Sequence, residues 1–397
     1  MNPINCLVVT TLYPNSIQFR HGVFVETRVQ HLSRSGRVNI EVIAPVPWVP
    51  FKSMFFPEYS KLVDVPRYEL WHGLNVYHPR YLVVPKIGML ATPIFLAITL
   101  FWEILHLNNK GHKFDIIDAH YYYPDGVAVA IVAKLLKIPL LITARGTDIN
   151  LISNFTIPRK MIVWASKIAR FNLAVCEALR RRMVDIGFDE TATGVYRNGV
   201  DLNLFHPFFM RDEMRQKWNV RRHLLISVGY LIERKGHHLL IEAMSSLPDY
   251  ELFIVGDGEW REKLELLAKQ HAVQERVRFI GEVPQQQLPE LYNIADALVL
   301  ASSREGWANV LLEAMACGTP VVATRIWGTP EVVQAPEAGV LCKERSVQGI
   351  IEAVECLFDN YPDRQKTRQY AEKFSWQETT EGLLALISEV NRSNLQQ

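Results

Sequence analysis

Apolar and polar positions along this chain fall into two successive series, each reading as short buried strands separated by amphipathic helices. In the first half, β-rich runs at 6–10 and 39–44 flank a stretch at 23–32 whose apolar residues recur at helical spacing. Runs at 116–119, 139–143, 173–176 and 194–196 continue the series, with an Ala-rich helix predicted over 126–136. The second half restarts it, with strands predicted at 223–228, 250–255, 277–280, 297–300 and 321–323. Helices are predicted at 236–244, 260–271, 288–294 and 347–357, and a last one at 376–390. Strands with no polar face, alternating with helices, build a mainly parallel sheet covered on both sides. Two such α/β units are expected, meeting near 201–211, where Pro207 interrupts both periodicities. The expected domains are therefore 1–205 and 206–375, followed by a C-terminal helix and tail over 376–397.

Composition narrows the class. A length of 397 residues suits two domains, each with its own core. With 49% apolar and 21% charged residues the chain is not of the disordered type. A net charge of +1 gives no reason to expect a nucleic-acid partner. Cys6, Cys176, Cys317, Cys342 and Cys356 are scattered with no C-x-x-C pair, which favours reduced, packed thiols and a cytoplasmic protein. Residues 2–11 read as a strand, not as a signal peptide. The stretch 88–102 carries no charge, but it holds Pro93 and stops at Glu103, short of the roughly 20 apolar residues needed to span a bilayer. A buried or surface-seated helix is expected there.

Candidate chemistry concentrates in residues 302–316. Glu305 and Glu313 stand eight residues apart across a loop-to-helix junction, with Asn309 as a candidate cap and Gly318 as a candidate stop. Carboxylates accept hydrogen bonds from sugar hydroxyls. Main-chain N–H groups of the loop and helix start, over Gly306, Trp307, Ala308, Asn309 and Val310, can receive phosphate oxygens. Lys235, followed by Gly236, opens another predicted helix and can neutralise a diphosphate. A nicotinamide site is disfavoured: Gly256-Asp257-Gly258 follows a strand but lacks the third glycine of the dinucleotide turn. His120 ends a predicted strand, where open parallel sheets bind ligands; alternatively it is buried against Asp118 or Asp125.

The segment Glu305-Gly306-Trp307 through Glu313-Ala314-Met315, followed by Gly318-Thr319-Pro320-Val321-Val322-Ala323-Thr324, resembles the retaining glycosyltransferases of family 4. The resemblance covers nearly the whole chain and is strongest over 228–331. It implies a GT-B fold, that is, two Rossmann-like domains with parallel sheets facing an interdomain cleft, and a C-terminal helix crossing back to the first domain. It implies that Glu305 contacts the transferred sugar, Glu313 holds the ribose hydroxyls, and Lys235 meets the donor phosphates. It also implies that His120 touches the donor sugar, that Gly22 lets the main chain approach the diphosphate, and that the turn at Gly256 lies near the donor. The family pattern Gly-Arg-Leu-x-x-x-Lys-Gly is departed from here, because Tyr230 stands in the Arg position. Arg145, Arg234 and Arg304 are the candidates to supply the missing charge, with a solvated position the alternative for Arg234. The forms Arg145-Gly146-Thr147-Asp148-Ile149-Asn150 and Glu305-Gly306-Trp307 look like the teichuronic-acid and exopolysaccharide branch.

The resemblance thus implies retaining transfer of a hexose or N-acetylhexosamine from a nucleoside diphosphate sugar, with UDP the expected nucleotide, to a glycan or lipid-linked acceptor. No Asp-x-Asp element occurs in the sequence, and neither a metal nor a further cofactor is expected. The alternatives are a nucleotide-sugar epimerase or hydrolase and a non-catalytic nucleotide-sugar-binding scaffold. Basic and apolar residues at helical spacing over 158–170, with Arg180, Arg181 and Arg182, raise a peripheral contact with the inner face of an anionic membrane as a further expectation.

Overall fold

A computed structural model of the chain describes residues 3–48, 62–83 and 88–395. The chain divides into two compact units. The first runs to Arg197 and is completed by the residues from Gln377 onward; the second is Asn198–Trp376. Residues 198–205 thus belong to the second unit, so the division falls ahead of the position suggested by Pro207.

The first unit is built on an eight-stranded sheet. In chain order its strands are β1 (Ile4–Val9), β2 (Val38–Ile43), β4 (Tyr68–Trp71), β5 (Leu74–Tyr77), β7 (Ile116–His120), β8 (Leu140–Ala144), β9 (Phe171–Ala174) and β10 (Thr193–Val195). A separate pair, β3 (Val46–Trp48) and β6 (Arg80–Leu82), forms a parallel ribbon. The sheet order is β10-β9-β8-β7-β1-β2-β5-β4, parallel throughout except for the antiparallel β4–β5 edge. Helix α1 (Val23–Arg34) buries Val25, Arg28, Val29 and Leu32, the i, i+3, i+4, i+7 stripe of an amphipathic helix. That stripe includes one arginine.

Helices α2 (Gly88–Asn109), α3 (Val127–Leu136) and α4 (Thr156–Ile168) follow in the first unit, with α2 packed on α3 and α3 on α4. α2 runs on past Glu103 because Ile104 and Leu107 continue its buried side. The last helix, named α9 below after those of the second unit, is Trp376–Leu395. Its Leu383, Leu384, Leu386, Ile387 and Val390 share one core with Cys6, Val8, Val25 and Val29 of the first unit.

The second unit carries a six-stranded, all-parallel sheet: β11 (His223–Val228), β12 (Tyr250–Val255), β13 (Val277–Gly281), β14 (Ala297–Leu300), β15 (Val321–Thr324) and β16 (Gly339–Cys342). Its order is β13-β12-β11-β14-β15-β16. The order reverses between β11 and β14, where doubly wound sheets place ligands beyond the strand ends. Helices α5 (His237–Ala243), α6 (Leu288–Ile294), α7 (Asn309–Ala316) and α8 (Val347–Asp359) serve this sheet. Loops leaving β11 and β14 carry Lys235 and Glu305 respectively, so the switch point sits beside the candidate chemistry.

Candidate active site

Two loops of the second unit are locked together at Gly236. Its φ of 75° is left-handed, and a Cβ there would lie 2.1 Å from the Ala301 carbonyl oxygen. Only glycine allows this approach, which presses the end of the β11 loop onto the end of β14. Arg234 completes the clasp: its guanidinium donates to the Arg304 carbonyl at 2.8 Å, and its own carbonyl accepts from the Ser303 N–H at 2.8 Å.

Held this way, the Lys235 ammonium donates to Glu305 Oε1 at 2.7 Å, and the Ser302 hydroxyl donates to the same oxygen at 2.7 Å. Arg234 stands 3.7 Å away. Burial alone would push the Glu305 pKa up, but the charge and hydrogen bond of Lys235, with Arg234 and Ser302, outweigh it and hold the group below its ordinary 4.5. Glu305 therefore stabilises the fold fully above that ordinary value. Its contribution is lost as pH falls through the lowered folded pKa.

Glu313 sits in α7 in a different environment. Its Oε2 accepts from the Tyr292 hydroxyl of α6 at 2.9 Å, and burial raises its pKa to about 7 despite that bond. A ligand hydroxyl donating to this carboxyl would favour its charged form. α7 begins at Asn309, with Ala308 at the cap position and no side-chain cap. The expected capping role of Asn309 is thus corrected: its Oδ1 accepts from the Asn198 amide at 3.4 Å, and it forms the first helical residue. Trp307 is 7% exposed, donates its indole N–H to the Asn198 carbonyl at 3.0 Å and packs on Phe374, so its ring anchors the loop. Gly306 and Val310 flank this anchored stretch. Gly256 directly follows β12, its N–H bonded to the Gly281 carbonyl. Tyr230 is 64% exposed.

The first unit gathers a second set. His120, at the end of β7, has no exposed surface. Arg145, after β8, donates from its guanidinium to His120 Nδ1 at 2.8 Å. Since a guanidinium only donates, His120 Nδ1 carries the lone pair and its proton is on Nε2, 3.5 Å from Asp118 Oδ2. Burial, then the charges of Arg145 and Arg28, lower the His120 pKa well below its usual range. Asp148 shapes the loop that presents Arg145, accepting from the N–H groups of Arg145, Gly146 and Tyr122. Asp125 is engaged elsewhere, by Thr11 and Thr10. Gly22 precedes α1 at φ 74°, its Cα turned onto the Leu12 carbonyl, so no side chain fits there.

The structure therefore brings Lys235, Arg234, Arg304 and Glu305 together in one unit and His120 with Arg145 in the other. Sequence reasoning passed over Ser302, Tyr292 and Arg28. Ser302 lay in the inspected segment, and Arg28 was visible as a charge on the apolar stripe of α1. Tyr292 had no local signal, because tertiary packing alone carries it to Glu313. Among the described residues no group of three or more His, Cys, Asp or Glu side chains is arranged to hold a metal ion.

Fold and site together define a two-domain α/β protein of GT-B type. The profile described as Glycosyltransferase Family 4 matches residues 23–204, and that of Glycosyl transferases group 1 matches 210–374. The chain is 32% identical over 359 residues to TuaC of Bacillus subtilis, named as a teichuronic acid biosynthesis glycosyltransferase, covering 88% of this chain and 87% of that one. A sucrose-phosphate synthase from Thermosynechococcus elongatus shares the fold at a TM-score of 0.79 and 17% identity, over 98% of this chain and 100% of that one. Anabaena Alr3699/HepE in complex with UDP superposes at 0.73 and 19% identity, over 97% of this chain and 100% of that one. Its complex with UDP-glucose superposes at 0.67 and 20% identity, over 99% and 98%. The chain belongs to glycosyltransferase family 4. It is an enzyme that moves a sugar from a nucleotide-sugar donor to an acceptor.

Proposed function

We propose that the enzyme is a retaining transferase moving a hexose or N-acetylhexosamine from a UDP-sugar to a glycan or lipid-linked saccharide in cell-surface polysaccharide synthesis. The observation that carries this reading is the Lys235–Glu305 pair, a cation and a carboxylate 2.7 Å apart on two clasped loops. A donor sugar joined to a diphosphate needs both at one point. The ammonium meets the phosphate, and the carboxylate accepts from the sugar hydroxyls and faces the charge that develops at the anomeric carbon.

As the bond between the anomeric carbon and the diphosphate oxygen breaks, negative charge grows on the leaving phosphate beside Lys235, with Arg234 and Arg304 on the same loops. The acceptor hydroxyl forms the new bond from the same face and gives its proton to a departing phosphate oxygen, which preserves the anomeric configuration. Glu313 receives the ribose hydroxyls, and the N–H groups of Asn309 and Val310 at the start of α7 serve phosphate oxygens, that of Leu311 being bonded to the Ala308 carbonyl. The UDP-glucose held by HepE supports the choice of donor, and the name of TuaC supports the polymer context. A lipid-linked acceptor places the enzyme at the cytoplasmic face of an anionic membrane.

The test is a competition binding screen with UDP-, GDP- and ADP-sugars, followed by transfer from the best binder and NMR of the product anomer. A UDP-sugar binding tightest and a retained linkage are expected. Release of free or epimerised sugar without acceptor would replace this reading with hydrolysis or epimerisation, and an inverted linkage would sink the mechanism.

A further inference from the structure

One face of the first unit is apolar where surface helices ordinarily turn polar residues outward. On α2, Leu90, Ile94, Ile98 and Trp102 are 42%, 52%, 51% and 66% exposed. Four-residue spacing stacks them turn upon turn in a stripe about 18 Å long. The opposite side of α2 is seated in the fold through Leu96, Leu100, Ile104 and Leu107. Only 33% of the most apolar window of this helix is buried, so the helix is apolar on its outer side as well as its inner one.

The neighbouring helices supply charge of one sign. α4 turns Ile157, Lys160, Trp164 and Lys167 outward, alternating apolar and cationic side chains along one face. Lys134, Lys137, Lys167 and Arg170 line an open cavity of about 570 Å³ whose walls include no carboxylate. In a chain of net charge +1 this is a local concentration of positive charge. The arginines at 180–182 do not share it: Arg180 pairs with Glu177 and Glu190, Arg181 with Glu177, and Arg182 donates to Asn154.

We propose that the layer α2–α3–α4 seats the enzyme on an anionic lipid surface. The Leu90–Trp102 stripe enters the boundary between headgroups and acyl chains, and the lysine-lined cavity takes headgroup phosphates. Protein interfaces are depleted of lysine at their cores, whereas tryptophan and lysine beside an apolar helix face suit the membrane boundary. The surface rests on the membrane-side placement proposed above and is independent of the donor chemistry.

Flotation of the full chain with vesicles of phosphatidylcholine alone, or mixed with phosphatidylglycerol, tests it. The wild type is expected to float with the anionic vesicles at low salt and to leave them at high salt. Ile94→Glu with Ile98→Glu lowers that affinity more than about tenfold, since a carboxylate enters the acyl boundary only at a cost. Lys134→Gln and Lys137→Gln each lower it about fivefold. Brominated acyl chains quench the wild-type fluorescence, and Trp102→Phe reduces that quenching. Thermal melting and UDP binding report that each variant is folded, and transfer to a soluble acceptor stays at the wild-type rate. A wild type that ignores anionic vesicles overturns the proposal, as does flotation unchanged in the double glutamate variant. If the stripe substitutions instead convert a dimer to a monomer in light scattering, the face belongs to a second copy. Loss of soluble transfer in the wild type would bear on the donor reading alone.

Discussion

The Lys235–Glu305 pair and the Asp118–His120 cluster both lie at strand ends of parallel sheets, yet burial has treated them in opposite ways. Glu305 keeps an 11% exposed side chain, and its Oε1 accepts two short hydrogen bonds. Pairing therefore wins over desolvation, and the carboxylate stays charged. Asp118 is 1% exposed, its Oδ1 has no hydrogen-bond partner, and neither do any of the three guanidinium nitrogens of Arg28. There burial wins, raising Asp118 to about 6 against the opposing charges of Arg28 and Arg145. Charge held by hydrogen bonds beside a loop is poised for a ligand. Charge sealed in a core constrains the fold instead and orients His120 through Arg145.

The comparison breaks most sharply at Asp118. Asp118→Ala leaves Arg28 as a buried cation without its carboxylate counter-charge, while Arg145 keeps that of Asp148, and a loss of roughly 3–5 kcal/mol is expected in denaturant unfolding. A change within about 0.5 kcal/mol would show that the cluster carries no such tension. Glu305→Gln should cost the fold less, because the amide oxygen still accepts from Lys235 and only the charge pairing is lost, while transfer falls about 100- to 1000-fold in initial-rate assays. Retained turnover would remove Glu305 from the reaction. Gly236→Ala forces a side chain into the Ala301 carbonyl at left-handed φ, costing roughly 1–3 kcal/mol and parting Lys235 from Glu305. Its donor KM should rise with the loss of stability.

Glu313 tests the contrast through pH. With a folded pKa of about 7, it must ionise to receive ribose hydroxyls, so nucleotide affinity should rise with pH to about 7 and then level in calorimetry. The same shift makes the folded state hold its proton while the unfolded chain, near 4.5, has lost it. Stability therefore declines from about 4.5 to 7. Glu313→Gln should flatten both profiles, gaining stability at neutral pH while binding nucleotide less well; unchanged profiles would deny Glu313 its ribose role. The smallest effect belongs to Tyr230→Arg. An arginine at this exposed position should improve nucleotide affinity by a few-fold at low salt, fading as salt rises.

Alternation of apolar runs was enough to announce two α/β units, because buried parallel strands carry no polar face and the helices between them repeat with a period of 3.6. The motif at 302–316 likewise announced Glu305 and Glu313, since a loop-to-helix junction is a local feature. Some strands were not legible in this way: β4 has an exposed, mixed pattern, and β3, β6 and β16 bury only one residue each. Nor did local pattern announce that Tyr292 would meet Glu313, that Asn198 would draw Asn309 out of its capping role, or that Ser302 and Lys235 would converge on a single carboxylate oxygen. Apart from Ser302, which lies three residues before Glu305 in the same loop, those contacts join residues whose partners lie on other elements, and only the packing of the sheet and its helices brings them within reach. Charge state followed from the same packing: two glutamates eight residues apart differ in pKa because one found a lysine and the other only a tyrosine.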